Sequence, residues 1–179
     1  MTAQRLPHVQ KAYRIGDPAG EHSIFDAAGA ALYPGRWNTP SSPIIYTSAD
    51  YGTAMLEKLV HGSGFLPPNQ HYIEIILSVG LSYEAVNLAA LPGWDLADGS
   101  VSKAYGETWF HAKRSLLLFV PSVVARVAEN ILINPTHPEF GRVSHSRHIP
   151  VAWDNRLFKP ADPGAEPDPA LRQDAVTGR

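Results

Sequence analysis

Two short runs do most to limit what this chain can become. SLLLFVP at 115–121 and NILINP at 130–135 are dense in aliphatic side chains, and each is closed by a proline, which cannot donate to a β-ladder. Both read as strands. HYIEIILSV at 71–79 is β-branched and apolar and reads as a central strand, with EAVNL beyond the turn at Gly80 as a further candidate. KAYRI at 11–15 and IIYT at 44–47 add two shorter ones. Two helices fit between these strands. Ser48 suits an N-cap and Asp50 a first helical turn, so ADYGTAMLEKLVHG predicts a helix that stops at Gly62. Its Tyr51, Met55, Leu56, Leu59 and Val60 spread over more than half the circumference, which predicts burial on most sides. A narrow polar sector of Thr53, Glu57 and His61 remains. SVSKAYGETWFHAKR at 100–114 predicts a second helix opening at a serine, although Gly106 in its middle weakens the pattern.

Residues 16–43 read as mostly irregular, and a loop of that length in a compact domain is functional or disordered. The last 21 residues, KPADPGAEPDPALRQDAVTGR at 159–179, hold four prolines and almost no large apolar side chain. They cannot bury enough surface to order themselves, so a flexible or partner-bound tail is expected. A chain of 179 residues otherwise fits one domain. The expected organisation is an N-terminal segment at 1–12, a domain at 13–158 and the tail.

Composition removes whole classes of function. A net charge of -2 and a pI near 6.4 leave no basic footprint for nucleic acid. The absence of cysteine excludes disulfides, thiolate metal sites and a cysteine nucleophile, and it fits a reducing cytoplasm. No stretch approaches the roughly 18 apolar residues of a membrane span, and the N-terminus lacks a signal-like apolar core. A soluble cytoplasmic protein with no membrane partner is expected. Eight histidines, among them His137, His145 and His148, form no HExxH pattern, so no metal is expected. GxSxG, GxxxxGK[ST] and GxGxxG are all missing, which removes the signatures of α/β-hydrolases, P-loop enzymes and Rossmann dinucleotide folds.

What remains is a trio spread over loop, strand and helix: Arg36 in GRWN, Tyr46 in IIYTS and Glu57 in AMLEKL. If the strand turns tightly into the helix, Tyr46 and Glu57 reach a common cavity and the GRWN loop folds over its mouth. From periodicity alone, a core tyrosine, a surface arginine and a solvated glutamate are the more usual roles of these residue types. Trp37 beside them is expected to pack into the core.

The order of motifs carries a resemblance. YRI at 13–15, GRWN at 35–38, IIYTS at 44–48, the glutamate of AMLEKL, VPS at 120–122, and NPTHP with the later DNRLF resemble the RES domain, the toxin half of Xre/RES toxin-antitoxin modules. The likeness runs from about residue 13 to about residue 158. It implies an α/β (α+β, mixed) domain similar to ADP-ribosyltransferases, with a cleft for NAD+ as substrate. Carried over by motif, Arg36, Tyr46 and Glu57 form the catalytic trio, and Arg14 and Ser122 are further NAD+-binding residues. The resemblance also implies an Xre-type antitoxin as partner and transfer of ADP-ribose to a protein acceptor. Depletion of NAD+ by hydrolysis or phosphorolysis, and a non-catalytic partner-binding module, are the alternatives.

Overall fold

Each apolar run above becomes a strand of a single sheet. The computed structural model describes residues 3–62, 65 and 68–158. Its strands are β1 Gln4–Arg5, β2 Gln10–Gly16, β3 Ile45–Ser48, β4 His71–Leu77, β5 Ser82–Ala85, β6 Leu117–Pro121, β7 Glu129–Ile133, β8 Ser144–His145 and β9 Ile149–Pro150. They lie in the order β1-β5-β6-β7-β3-β2-β4-β8, with β9 also on β4. Among the described residues only β5 and β6 pair in parallel. The described residues also hold three α-helices: α1 Ala28–Leu32, α2 Tyr51–His61 and α3 Ser100–Ala112. The architecture is a mixed α/β domain.

Side chains alternate across a strand, so each face of the sheet has its own core. One face carries Ala12, Ile45, Ile73, Ile75, Ile131 and Ile133, packed under Leu6, Ile24 and Ala27. The other carries Tyr46, Leu118, Val120 and Leu132 against Trp109 and Phe110 of α3 and Trp37 of the long loop. Burying a side chain of this size stabilises the fold by about 1.5–3 kcal/mol. Trp109 is fully enclosed, and its indole N–H donates to Ser115 Oγ at 2.8 Å, so no polar group is stranded there.

α2 lies on this second face. Tyr51 meets Tyr13 edge-on at 6.0 Å and Tyr72 at 4.8 Å. Its N-cap is Asp50, whose carboxylate accepts from Thr53 N–H at 2.8 Å and Thr53 Oγ1 at 2.7 Å, and not Ser48 as the sequence predicts. Ser48 is the last residue of β3 and its hydroxyl is engaged across the sheet. Nor is the helix buried on most sides: Leu56 is 44% and Val60 57% exposed, while Thr53 and Ala54 are buried. The helix packs mainly on β2 and β3, and it is the side bearing Thr53 that turns inward and part of the apolar side that faces out.

The loop at 16–43 holds α1, five residues rich in alanine and too short to show a helical period. β5 begins at Ser82 rather than Glu84. α3 spans Gly106 without a break, because the missing side chain is what lets the loop seat: a Cβ there would lie 1.8 Å from the carbonyl oxygen of Trp37. The tail at 159–179 lies outside the described residues. Among the described residues, no helix is long and apolar enough to cross a membrane.

Candidate active site

Asn38 organises the GRWN loop. The side chain is buried, and its Oδ1 accepts from Gly35 N–H at 2.8 Å and from the Tyr46 hydroxyl at 2.9 Å. Its Nδ2 donates to the carbonyls of Ala30 at 2.7 Å and Thr39 at 2.9 Å. The full hydrogen-bonding capacity of the amide is used. The Tyr46 oxygen in turn accepts from Trp37 N–H at 2.9 Å. Burial pushes the Tyr46 hydroxyl far above its ordinary range, against the smaller opposing pull of the Trp37 N–H and the Arg36 charge. It therefore stays protonated and keeps donating to Asn38. A Cβ on Gly35 would come within 2.7 Å of the Tyr46 ring, so only glycine allows this approach.

The loop carries Arg36 and Trp37 to opposite tasks. Trp37 is buried, stacked at 6.3 Å on Trp94 and edge-on to Tyr105 at 6.3 Å, as expected of a packing residue. Arg36 is half-buried and donates through Nη1 to the carbonyls of Leu96 at 2.7 Å and Trp94 at 3.3 Å. The guanidinium is thus held by one corner.

A second cluster surrounds Glu57. Its Oε1 accepts from Asn130 Nδ2 at 2.7 Å and from Ser122 Oγ at 2.9 Å. Asn130 Oδ1 accepts from Ser48 Oγ at 2.8 Å, and Ser122 Oγ accepts from Ala125 N–H at 2.9 Å. Four places in the fold meet here: the middle of α2, the end of β6, the start of β7 and the end of β3. The pairing of β3 with β7 is responsible, since it sets Ser48 opposite Asn130 and Tyr46 opposite Leu132. Tyr46 and Ser48 are two residues apart on one strand and share a face, so roughly 7 Å of strand links the two clusters. Among the described residues Glu57 Oε2 takes no hydrogen bond, and Glu57 is half-buried.

Four of the five residues named from sequence therefore gather on one face of the sheet. Arg14 does not. It pairs with Ile73, on the face opposite to Tyr13 and Ser48. The alternation of β2 aims Tyr13, not Arg14, toward α2. Its Nη1 is buried without a hydrogen-bond partner, and burial lowers the guanidinium to about 10 despite the nearby Asp26. Asn38, Ser48 and Asn130 are the members that sequence reasoning missed. In sequence Ser48 resembles a helix cap, and Asn130 is marked only by its strand register. Among the described residues no three His, Asp or Glu side chains stand close enough to hold a metal ion.

The site thus combines a carboxylate with one oxygen loaded by two donors, a permanent cation on a braced loop, and an aromatic side chain on the strand that joins the two clusters. The sequence and the fold belong with a known family. The chain is a member of the RES domain family, whose match covers residues 11–154. It is 35% identical over 156 residues to a protein of Sphingobium sp. (strain YBL2) called Prs ADP-ribosylating toxin, covering 83% of this chain and 97% of the relative. Toxin Res of Pseudomonas putida is 32% identical over 143 residues, covering 76% of this chain and 94% of that one. The MbcT-MbcA toxin-antitoxin complex of M. tuberculosis contains a chain of similar fold, with a TM-score of 0.64 at 17% identity, covering 82% of this chain and 86% of that one.

Proposed function

We propose that the protein is an NAD+-consuming toxin that cleaves the nicotinamide–ribose bond and transfers ADP-ribose to a protein acceptor. The observation that carries this reading is the Glu57 cluster: a carboxylate fixed through Oε1 by Ser122 and Asn130. As the C1″–N bond breaks, its electron pair leaves with neutral nicotinamide and positive charge builds on the ribose, as in the oxocarbenium-like transition state of glycoside hydrolysis. No general acid is needed. Glu57 stabilises that charge and accepts a hydrogen bond from a ribose hydroxyl through Oε2. The acceptor nucleophile then bonds to C1″ and releases its proton to solvent.

In this reading Arg36 holds the pyrophosphate through the donors left over from its contacts with Trp94 and Leu96, a planar fork matched to phosphate oxygens. The Tyr46 ring stacks on nicotinamide, worth about 0.5–1.5 kcal/mol beyond burial. Its hydroxyl is committed to Asn38 and Trp37, so the ring and not the oxygen meets the substrate. Arg14, buried without a partner for Nη1, is a separate candidate for phosphate and is tested by NAD+ affinity in Arg14→Lys. A protein acceptor is favoured by the name of the Sphingobium relative. The names of the relatives, and of the complex with similar fold, support an antitoxin as partner, and we assign it to the Xre type.

The test is nicotinamide release from NAD+ by purified protein, with Glu57→Gln as control and products separated with and without inorganic phosphate and with lysate as protein acceptor. Glu57-dependent release supports the enzyme. ADP-ribose as product identifies water as acceptor, ADP-ribose 1″-phosphate identifies phosphate, and labelled protein identifies a macromolecule. The absence of release under all three conditions overturns the reading.

A further inference from the structure

We propose that Asn130 is the residue that aims Glu57, and that Ser48 determines which end of the Asn130 amide faces it. This inference deepens the proposed reaction and rests on Glu57 acting at the ribose. Asn130 has one side that donates and one that accepts, and rotation by a half-turn about its last bond exchanges them. With Nδ2 toward Glu57, at 2.7 Å, it holds the carboxylate. With Oδ1 there instead, two acceptors would face each other and the carboxylate would be pushed away. The Ser48 hydroxyl removes the ambiguity, because it donates to Asn130 Oδ1 at 2.8 Å. That bond is available because β3 and β7 pair Ser48 with Asn130 directly.

Ser122 binds the same Oε1, but its hydroxyl rotates freely and also accepts from Ala125 N–H. A hydroxyl follows the carboxylate wherever it goes. A planar amide clamped at its far end dictates where the carboxylate sits, which makes Asn130 a positioning residue. Both bonds fall on Oε1, so the orientation they impose is the one that presents Oε2 to substrate.

Four variants test this. Asn130→Ala is expected to lower kcat roughly 10- to 100-fold, the usual loss when a donor to a charged group is removed, with KM for NAD+ little changed. Ser48→Ala is expected to lower it less, and to add nothing in the Asn130→Ala background, because Ser48 acts only through the amide. Asn130→Asp places a second carboxyl against Glu57. Two carboxylates at that distance cannot both ionise, so they share one proton once the pH falls far enough; the activity of Asn130→Asp relative to wild type therefore rises as pH falls, while the ratio for Asn130→Ala stays flat. A pH-independent ratio for Asn130→Asp, or full additivity of the Ser48 and Asn130 changes, overturns the inference while leaving Glu57-dependent cleavage intact. A readout independent of activity is the side-chain amide signal of Asn130 in a 1H–15N spectrum, identified by its loss in Asn130→Asp. Glu57→Gln is expected to shift it, and an unmoved signal overturns the inference even if the protein cleaves no NAD+.

Discussion

At the scale of single residues, Tyr46 divides cleanly into two parts. Its oxygen bridges Trp37 N–H and Asn38, and its ring faces the side of the sheet that carries Glu57. Tyr46→Phe keeps the ring and strands two polar groups, so a stability loss of about 1–3 kcal/mol is expected in denaturant titration. Turnover should survive wherever the protein remains folded, whereas a loss of turnover without a loss of stability would give the hydroxyl a chemical role. Glu57→Gln is expected to do the reverse, leaving stability near wild type and slowing nicotinamide release by about a hundredfold or more. The sequence pointed to Tyr46, Glu57 and Ser122 through motif order but carried no local mark for Asn38 or Asn130. An asparagine in a loop or at a strand start is ordinary, and only the register of β3 against β7 gives the second one its task.

Among the elements, α2 shows why periodicity alone misleads. Its sequence has a broad apolar stripe, yet Leu56 and Val60 are exposed while Thr53 and Glu57 face the sheet. The buried Thr53 and the bonds of Glu57 to Ser122 and Asn130 occupy the inward side, so the helix departs from the usual amphipathic orientation. The start of the helix is ambiguous in sequence for a related reason: Ser48 and Asp50 both suit a cap, and the β3–β7 pairing claims Ser48. Asp50→Ala is therefore expected to cost about 1 kcal/mol of stability by thermal melting. α3 was legible despite Gly106, and the structure supplies the reason for that glycine. Gly106→Ala sets a methyl 1.8 Å from the Trp37 carbonyl oxygen. The expected result is displacement of the GRWN loop, a lower Tm by several degrees and weakened NAD+ binding, even though alanine is the better helix former.

Across the whole molecule, Glu139 ties the β1 end of the sheet to the residues after β7. Its carboxylate accepts from the Ser82 hydroxyl, from Ser82 N–H at 3.0 Å, and from Arg5, with Arg142 nearby at 3.7 Å. Burial acts to raise its pKa, but the Ser82 and Arg5 bonds outweigh it and hold the group at about 2. A depressed carboxyl stabilises the fold above its unfolded value and loses that contribution as pH falls toward the folded one. Stability is thus expected to drop between about pH 5 and pH 2, and Glu139→Gln should flatten much of that slope in acid-unfolding curves. His137, lowered chiefly by burial, adds a slope of the same sign nearer neutrality. The overall class and most strands were legible because short apolar runs closed by proline or glycine have few other fates. The two-residue strands β1, β8 and β9 were not, since they exist only by pairing with β5 and β4.

The two halves of the site also differ in when they can exist. The hydrogen-bond partners of Tyr46 lie eight and nine residues away, so the polar bonds of the loop brace are local in sequence. The donors to Glu57 lie 65 and 73 residues downstream. A growing chain therefore carries its carboxylate unaimed until residue 130 of 179 has been made. Truncated translation products that end before that point hold the GRWN loop and Glu57 but lack the amide that would orient it, so under the proposed mechanism the cell that synthesises this protein meets its full chemistry only late in each round of synthesis.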